Sequence, residues 1–440
     1  HTRPIGGTSL LEMARGGPLA AGAALAAACL LQDTHAFTLA PTGLSSRLSR
    51  PAVQSLRAAP SLSGFQSRPA TVPRSPAPAR RQCAAVQMGY GRTATAAAAL
   101  AGTSQAISPV ALIVAAGCLA AVALKWVLDK PSRAYKEGDD TVGSEYDAWT
   151  EEGILEYYWG EHIHLGYYND ADRRAVFNPF KSNKVFKDTK YQFVEEMYKW
   201  SGVEDGGAKP LKVLDVGCGI GGTSRYLAAK LKDAGSTVTG ISLSPKQVER
   251  AGQLAKDRGL DNANFQVMDA LKMEFPDNSF DLVWGCESGE HMPDKTKYVE
   301  EMTRVLKPGG TLVIATWCQR EAGEANPITP VEQKKLDFLY EEWAHPYFIS
   351  YQEYERICDR TNALEKIKGE NWVKETITAW RHSIWVGVFD PWIVIWKGLT
   401  KGPWIWWKVI REIVTLERMH RAFASDLMTY GMVKAKKRAA

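Results

Sequence analysis

The 440-residue chain is long enough for two to four domains, and its 45 % hydrophobic content excludes disorder as the state of the whole molecule. Residues 1–137 hold 14 of the 54 Lys+Arg but only four of the 49 Asp+Glu, so the other 303 residues carry 40 basic against 45 acidic groups. A body with net charge −5 argues against a nucleic-acid-binding protein, and seven scattered cysteines without a CxxC pair argue against a metal site and for free thiols in a reducing compartment.

The first elements read as an address. Met13-Ala14-Arg15 followed by the apolar run to Leu31 has the form of a signal peptide starting at Met13, with Ala36 as a cleavage point. From Phe37 to Leu128 there is no acidic residue, and eight arginines lie between Leu44 and Arg92 among Ser, Pro and Ala, the composition of a transit peptide. Residues 1–92 are therefore expected to be a disordered targeting leader, resembling the bipartite plastid address of algae; a plain low-complexity tail is the alternative. Pro109–Leu128 carries one charge, Lys125, and is long enough as a helix to span about 30 Å, so 107–128 is expected to be a transmembrane helix. Lys125, Lys130, Arg133 and Lys136 follow it, which would leave the body on the stromal side. A second cleaved targeting segment is the alternative.

Residues 138–200 are expected to cap the catalytic domain and 201–440 to form it. Val213–Val216 reads as a strand that ends in the turn Gly217-Cys218-Gly219-Ile220-Gly221-Gly222 and enters a helix at Thr223, a unit in which backbone approaches a ligand. A second strand over 237–242 precedes Ser244-Pro245-Lys246-Gln247, an N-cap, a first-turn proline and a capping-box glutamine. Strands are predicted over 264–268 and 281–285, then Lys307-Pro308-Gly309-Gly310 turns into a fifth over 311–316. Alternating apolar strands and amphipathic helices predict an α/β fold, a parallel sheet covered on both faces.

DVGCGIGG, Asp269 after the third strand and RVLKPGG before the fifth resemble the class I S-adenosylmethionine methyltransferases over about residues 140–440. GISLSPKQ (240–247), ESGEHMPDK (287–295) and TWC (316–318) resemble, more narrowly, the γ-tocopherol methyltransferases of plants and algae. The resemblance implies a Rossmann-like sheet with an N-terminal aromatic helical cap and a Trp-rich C-terminal lid, S-adenosylmethionine as cofactor, and a prenylated chromanol as methyl acceptor in the plastid. It also implies that Asp215, Gly217, Cys218, Gly219 and Gly221 hold the methionyl part of the cofactor and that Asp269 and Ala270 meet its adenine. Where most relatives place a ribose-gripping acid, this chain has Ile241-Ser242-Leu243-Ser244, which leaves Ser242 and Gln247 as the candidates there.

Carbon methylation of a phenol gains from a base or strong acceptor beside the hydroxyl. Glu287, Glu290 and His291 follow the fourth strand, where open α/β sheets present ligands; Glu287 and His291 are preferred, with helix capping as the other use of His291. In the aromatic run 157–168, His164 and Tyr167 fall on the family's H-x-G-Y/F element, whereas His162 reads equally as packing. Eight of the 15 tryptophans lie between Trp372 and Trp407, interspersed with Arg381, Lys397, Lys401 and Lys408. That segment, 372–408, reads either as a membrane-interfacial surface or as a lid over a prenyl chain. The preferred reading is a membrane-associated plastid methyltransferase acting on a lipid-like phenol. Sterol C-methyltransferase, small-amine N-methyltransferase and a non-catalytic thylakoid subunit are the alternatives.

Overall fold

The computed structural model describes residues 108–132, 141–203 and 209–439. The predicted signal and transit peptides lie outside the described residues. The chain divides into two units, His1–Leu119 and Ala120–Ala440.

The first described element is α1 (Pro109–Leu128), followed by α2 (Thr141–Glu152), α3 (Ile154–Trp159), α4 (Asp170–Ala175) and α5 (Ser182–Ser201). Then come β1 (Lys212–Val216), α6 (Gly222–Lys230), β2 (Thr237–Ser242), α7 (Pro245–Asp257), β3 (Ala263–Val267), β4 (Phe280–Cys286), α8 (Lys295–Val305) and β5 (Leu306–Gln319). The remainder is α9 (Pro330–Glu342), α10 (Tyr351–Arg360), β6 (Leu364–Asn371), α11 (Val373–Thr376), α12 (Thr378–Phe389), α13 (Trp392–Lys401), α14 (Trp404–Ala424) and β7 (Met428–Lys437).

The seven strands form one sheet in the order β3-β2-β1-β4-β5-β7-β6. β1 to β5 are parallel, and β7 inserts antiparallel to both β5 and β6. The five predicted strands appear within a few residues of their expected bounds; the fifth is longer. β6 and β7 were not predicted, and they turn the expected parallel sheet into a mixed one. Side-chain alternation sends Val213, Trp284 and Val313 to a core shared with α5, α12 and α14. It sends Leu214, Val283 and Leu312 to the opposite core, against α8 and α10. Helices cover both faces.

The expected transmembrane helix needs correction. α1 has the predicted bounds, but no helix among the described residues is long and apolar enough to cross a membrane. Within α1 the uncharged stretch ends at Lys125 in the last turn, which bonds Asp129 at 2.8 Å, so a paired charge stands inside the roughly 20 residues a crossing requires.

Contacts of the second unit also reach upstream of residue 138. Buried Glu342 receives the guanidinium of Arg411 (2.7 Å) together with the N–H and hydroxyl of Ser132. Arg411 also donates to the carbonyl of Lys130 (2.8 Å), and Arg418 pairs with Asp129. Segment 127–132 is thus clasped to α9 and α14. Arg411→Ala strands the Glu342 carboxylate in the interior, and a loss of about 3–5 kcal/mol is expected by urea unfolding; a loss under about 1 kcal/mol would show that the clasp is ornamental.

The tryptophan segment splits in two. Trp372 and Trp380 are buried in the core, whereas Trp392, Trp396, Trp404, Trp406 and Trp407 are exposed on α13 and α14. The expected lid is therefore core at one end and open surface at the other.

Candidate active site

A cavity of about 470 Å³ opens at the carboxyl ends of β1, β2 and β4, on either side of the position where the strand order reverses. Asp215, Gly217, Cys218, Gly219, Ser242, Gln247, Asp269, Ala270, Glu287, His291 and His164 all line it.

Tyr167 and Gly221 do not. Gly166 is pressed onto α5, where a Cβ would stand 2.2 Å from Thr189 Oγ1, so the chain turns away from the cavity. The Tyr167 N–H then bonds the Thr189 carbonyl (2.9 Å), and its ring packs on Trp372. Gly221 has φ +78° at the N-cap of α6, and a Cβ there would meet Phe265 at 2.6 Å, which makes it a packing glycine. Gly217 lines the cavity, but its missing Cβ faces Ser288 (2.3 Å).

Gly219 is different. Its φ is +54°, and the nearest atom to a Cβ there is Gln247 Nε2 at 3.9 Å, so the space is the cavity itself. Gly219→Ala is therefore expected to cost folding only the left-handed penalty of about 1–2 kcal/mol, while weakening S-adenosylmethionine binding at least about tenfold by calorimetry. Unchanged affinity in the folded variant would remove the cofactor from this turn.

Around this turn the polar groups are few and placed. Asp215, buried at the end of β1, accepts the Ser224 hydroxyl (2.6 Å), and burial pushes its carboxyl up to about 6. Ser244 caps α7 as predicted, accepting from the Gln247 N–H, but the Gln247 side chain does not complete a capping box. It takes the Ser242 hydroxyl instead (2.9 Å), tying together two residues of the cavity wall. Asp269 accepts from the Leu271 N–H (2.8 Å) at the cavity edge.

Across the cavity, Glu287 sits at φ +49°, a left-handed conformation unusual for a glutamate. Its Oε1 accepts from the Leu165 N–H (2.8 Å) and the Tyr430 hydroxyl (2.7 Å). Burial, and then the neighbouring Glu290, raise its proton affinity well above the carboxylate range. Burial likewise raises that of Glu290, which accepts from the Thr316 hydroxyl (2.7 Å). Glu290 does not line the cavity, whereas the adjacent His291 does.

His291 does not serve as a helix cap. Its Nε2 shares a hydrogen bond with the Tyr146 hydroxyl (3.0 Å), and burial drops its basicity to about 3, so it is neutral. Its ring stacks on buried His345 with centroids 4.4 Å apart, in front of Trp317, which is 5.6 Å from His345 and 4.9 Å from Trp380. The result is a cavity with a carboxylate and a neutral imidazole on one wall and aromatic rings behind.

The aromatic run straps the opposite side. A Cβ on Gly222 would lie 2.0 Å from the Glu161 carbonyl, and Glu161 pairs with buried Arg225 (2.6 Å), fixing 161–164 against α6. His164 Nδ1 donates to the Leu165 carbonyl (2.8 Å), which leaves Nε2 to accept from His162 Nδ1 (3.2 Å). His162 thus also lines the cavity, as does Tyr146 of α2. Tyr146 escaped the sequence reading because a lone tyrosine in the stretch EYDAWTEE carries no motif. Tyr430 lies on a strand that periodicity did not reveal.

The description "Methyltransferase domain" matches residues 214–314, the stretch from β1 into β5. The chain is 42 % identical over 306 residues to the 2-methyl-6-phytyl-1,4-hydroquinone methyltransferase of Synechocystis, covering 69 % of this chain and 89 % of that one. It is 38 % identical to the chloroplastic tocopherol O-methyltransferase of Arabidopsis thaliana, covering 65 % and 79 %. Among solved structures, geranyl diphosphate C-methyltransferase of Streptomyces coelicolor is 17 % identical with a TM-score of 0.52, over 70 % of this chain and all of that one. The [4+2]-cyclase SpnF gives 0.52 at 22 % identity, over 71 % of this chain and all of that one, so at this distance the fold alone does not select the reaction. The residues present fit S-adenosylmethionine: an open cradle at Gly219, with buried Asp215 and the edge carboxylate Asp269 at the strand ends. With the relatives' identities and coverage, they establish that this chain belongs to the class I S-adenosylmethionine-dependent methyltransferase family that includes the tocopherol and phytylhydroquinone enzymes.

Proposed function

We propose that this enzyme methylates a ring carbon of a phytyl-bearing phenol, a hydroquinone or chromanol of the tocopherol type, at a plastid membrane surface. The names of the relatives support the acceptor class and the compartment. The observation that carries the chemistry is Glu287, a buried carboxyl of raised proton affinity on the wall of the cofactor cavity. A base poised near neutral pH is what a phenolic hydroxyl requires.

Bound in this cavity, S-adenosylmethionine supplies a methyl group on a positively charged sulfur. Asp215, Gly217, Gly219 and Asp269 hold it, with Ser242 and Gln247 toward the ribose. Glu287 takes the acceptor's hydroxyl proton, which raises electron density at the ring carbon as the new carbon–carbon bond forms. The oxygen regains a proton as that carbon releases its hydrogen to His291 or water, so one proton is released per turnover. His291, held by Tyr146 and of depressed basicity, would pass that proton on to water rather than keep it. Tyr146 and His164, which line the cavity, supply flat contact for a phenyl ring. Incubating the full chain with labelled S-adenosylmethionine and either a phytylhydroquinone or γ-tocopherol should place label on ring carbon. Label on nitrogen, or on a sterol from a lipid extract, would replace this reading.

A further inference from the structure

We infer that the outer face of the α13–α14 hairpin is a docking surface for a lipid bilayer bearing anionic headgroups. This deepens the membrane association proposed above by naming its surface. Trp392, Trp396 and Leu399 recur at i, i+4 and i+7 along α13, one helical face, and are 65 %, 64 % and 68 % exposed. Large apolar side chains gathered exposed on one helical face mark an interaction surface. The hairpin is rigid: a Cβ on Gly398 would lie 1.9 Å from Trp406 Nε1, and that indole N–H donates to the Val394 carbonyl (3.2 Å). Trp404 Nε1 donates to the Lys401 carbonyl (3.0 Å), so this indole shows its ring outward with its polar atom already satisfied.

Phe389, the last residue of α12, touches Trp385, which touches exposed Phe177.

The charge around the patch selects the occupant. Residues 391–411 contain Lys397, Lys401, Lys408 and Arg411 and no acid, although the body as a whole is net negative. Lys408 and Arg411 are paired inward, with Glu152 and Glu342, whereas Lys397 and Lys401 form no ion pair among the described residues. Exposed rings with unpaired cations beside them match acyl chains below and anionic headgroups above. A second copy of the chain, carrying the same cations, would meet like charge.

The test uses the full chain with vesicles of a neutral lipid, with and without phosphatidylglycerol, whose acyl chains are brominated near the glycerol. The inference expects part of the tryptophan emission to be quenched, and that part to fall in Trp392→Phe/Trp396→Phe. Partitioning should weaken about tenfold or more in Trp392→Gln/Trp396→Gln. It should also lose its dependence on phosphatidylglycerol and salt in Lys397→Gln/Lys401→Gln. Unchanged S-adenosylmethionine affinity checks that each variant is folded. If the wild-type emission contains no such quenched component and partitioning is unaltered in both Gln variants, the inference is wrong. Sedimentation showing a dimer that Trp392→Glu dissociates would assign the face to a second copy and overturn it too. Failure of the wild type to methylate a detergent-dispersed phenol would instead strike the proposed function and leave the quenching result standing.

Discussion

Glu287→Gln is expected to lower kcat by about 10² to 10⁴ at saturating S-adenosylmethionine, the range a single positioned base contributes, while changing cofactor affinity less than about threefold. Glutamine keeps the oxygen that accepts from the Leu165 N–H and the Tyr430 hydroxyl, so the strap over the cavity and the contact to β7 survive. It can adopt the same left-handed backbone. What it cannot do is take a proton. The variant also removes a negative charge beside Glu290, a charge that disfavours ionisation of the pair. The pH profile of kcat/KM should therefore lose its ascending limb in the neutral range, a change that a purely structural role would not produce. Stopped-time assays across pH 5.5–8.5 read both effects. Near-normal kcat with a raised KM for the cofactor would make Glu287 a binding group and shift proton removal to His291 or His164.

How much of this site the sequence disclosed depended on how local each signal was. The turn 217–222 and its strand are consecutive in the chain, so they were legible together, and so was Asp269 after β3. The division of labour among the glycines was not. Whether Gly219 faces the cavity while Gly217 and Gly221 face Ser288 and Phe265 depends on residues 71 and 44 positions away. Tyr167 shows the same dependence: of the H-x-G-Y element the histidine reaches the cavity wall, whereas Gly166 meets α5 and turns the tyrosine away from the cavity.

The fold shows the same boundary between local and distant information. Parallel strands followed by helices announced β1 to β5, and the N-cap Ser244 with Pro245 announced α7. β7 was hidden because MTYGMVKAKK alternates poorly, yet it is buried on both faces by the sheet it enters. The tryptophans show that composition gives the chemistry of a segment and not its address: one run of indoles supplies core at Trp380 and open surface at Trp396.

The protein is expected to be unusually acid-labile for a reason that lies in its interior. The six histidines among the described residues, 162, 164, 291, 345, 382 and 420, all have depressed basicity, chiefly through burial. In the unfolded chain they take up protons as pH falls through about 6.5. The folded protein refuses them until far lower pH, His420 until about 4. In that window the unfolded state binds more protons, so stability falls as pH falls. Glu287, Glu290 and Asp215 act in the opposite sense, because the folded state holds protons there that the unfolded chain has released. Six sites against three leave about three net protons, a slope of roughly 4 kcal/mol per pH unit. A domain stability of about 5–15 kcal/mol would then be exhausted within a few units of pH 6.5. Above pH 6.5 the histidine contribution is level. The remaining carboxyl contribution is opposed there by Lys295, whose ammonium is pushed down to about 7 by burial, so the curve should flatten. Urea unfolding at half-unit steps from pH 4.5 to 8 measures the slope, and a value below one proton would contradict the arrangement. His345→Phe sharpens the test. Both of its ring nitrogens are buried without a partner, so phenylalanine keeps the stack on His291 while removing a group that costs burial and takes no hydrogen bond. The variant should be as stable as the wild type at pH 7, and its acid slope should be shallower by about one proton.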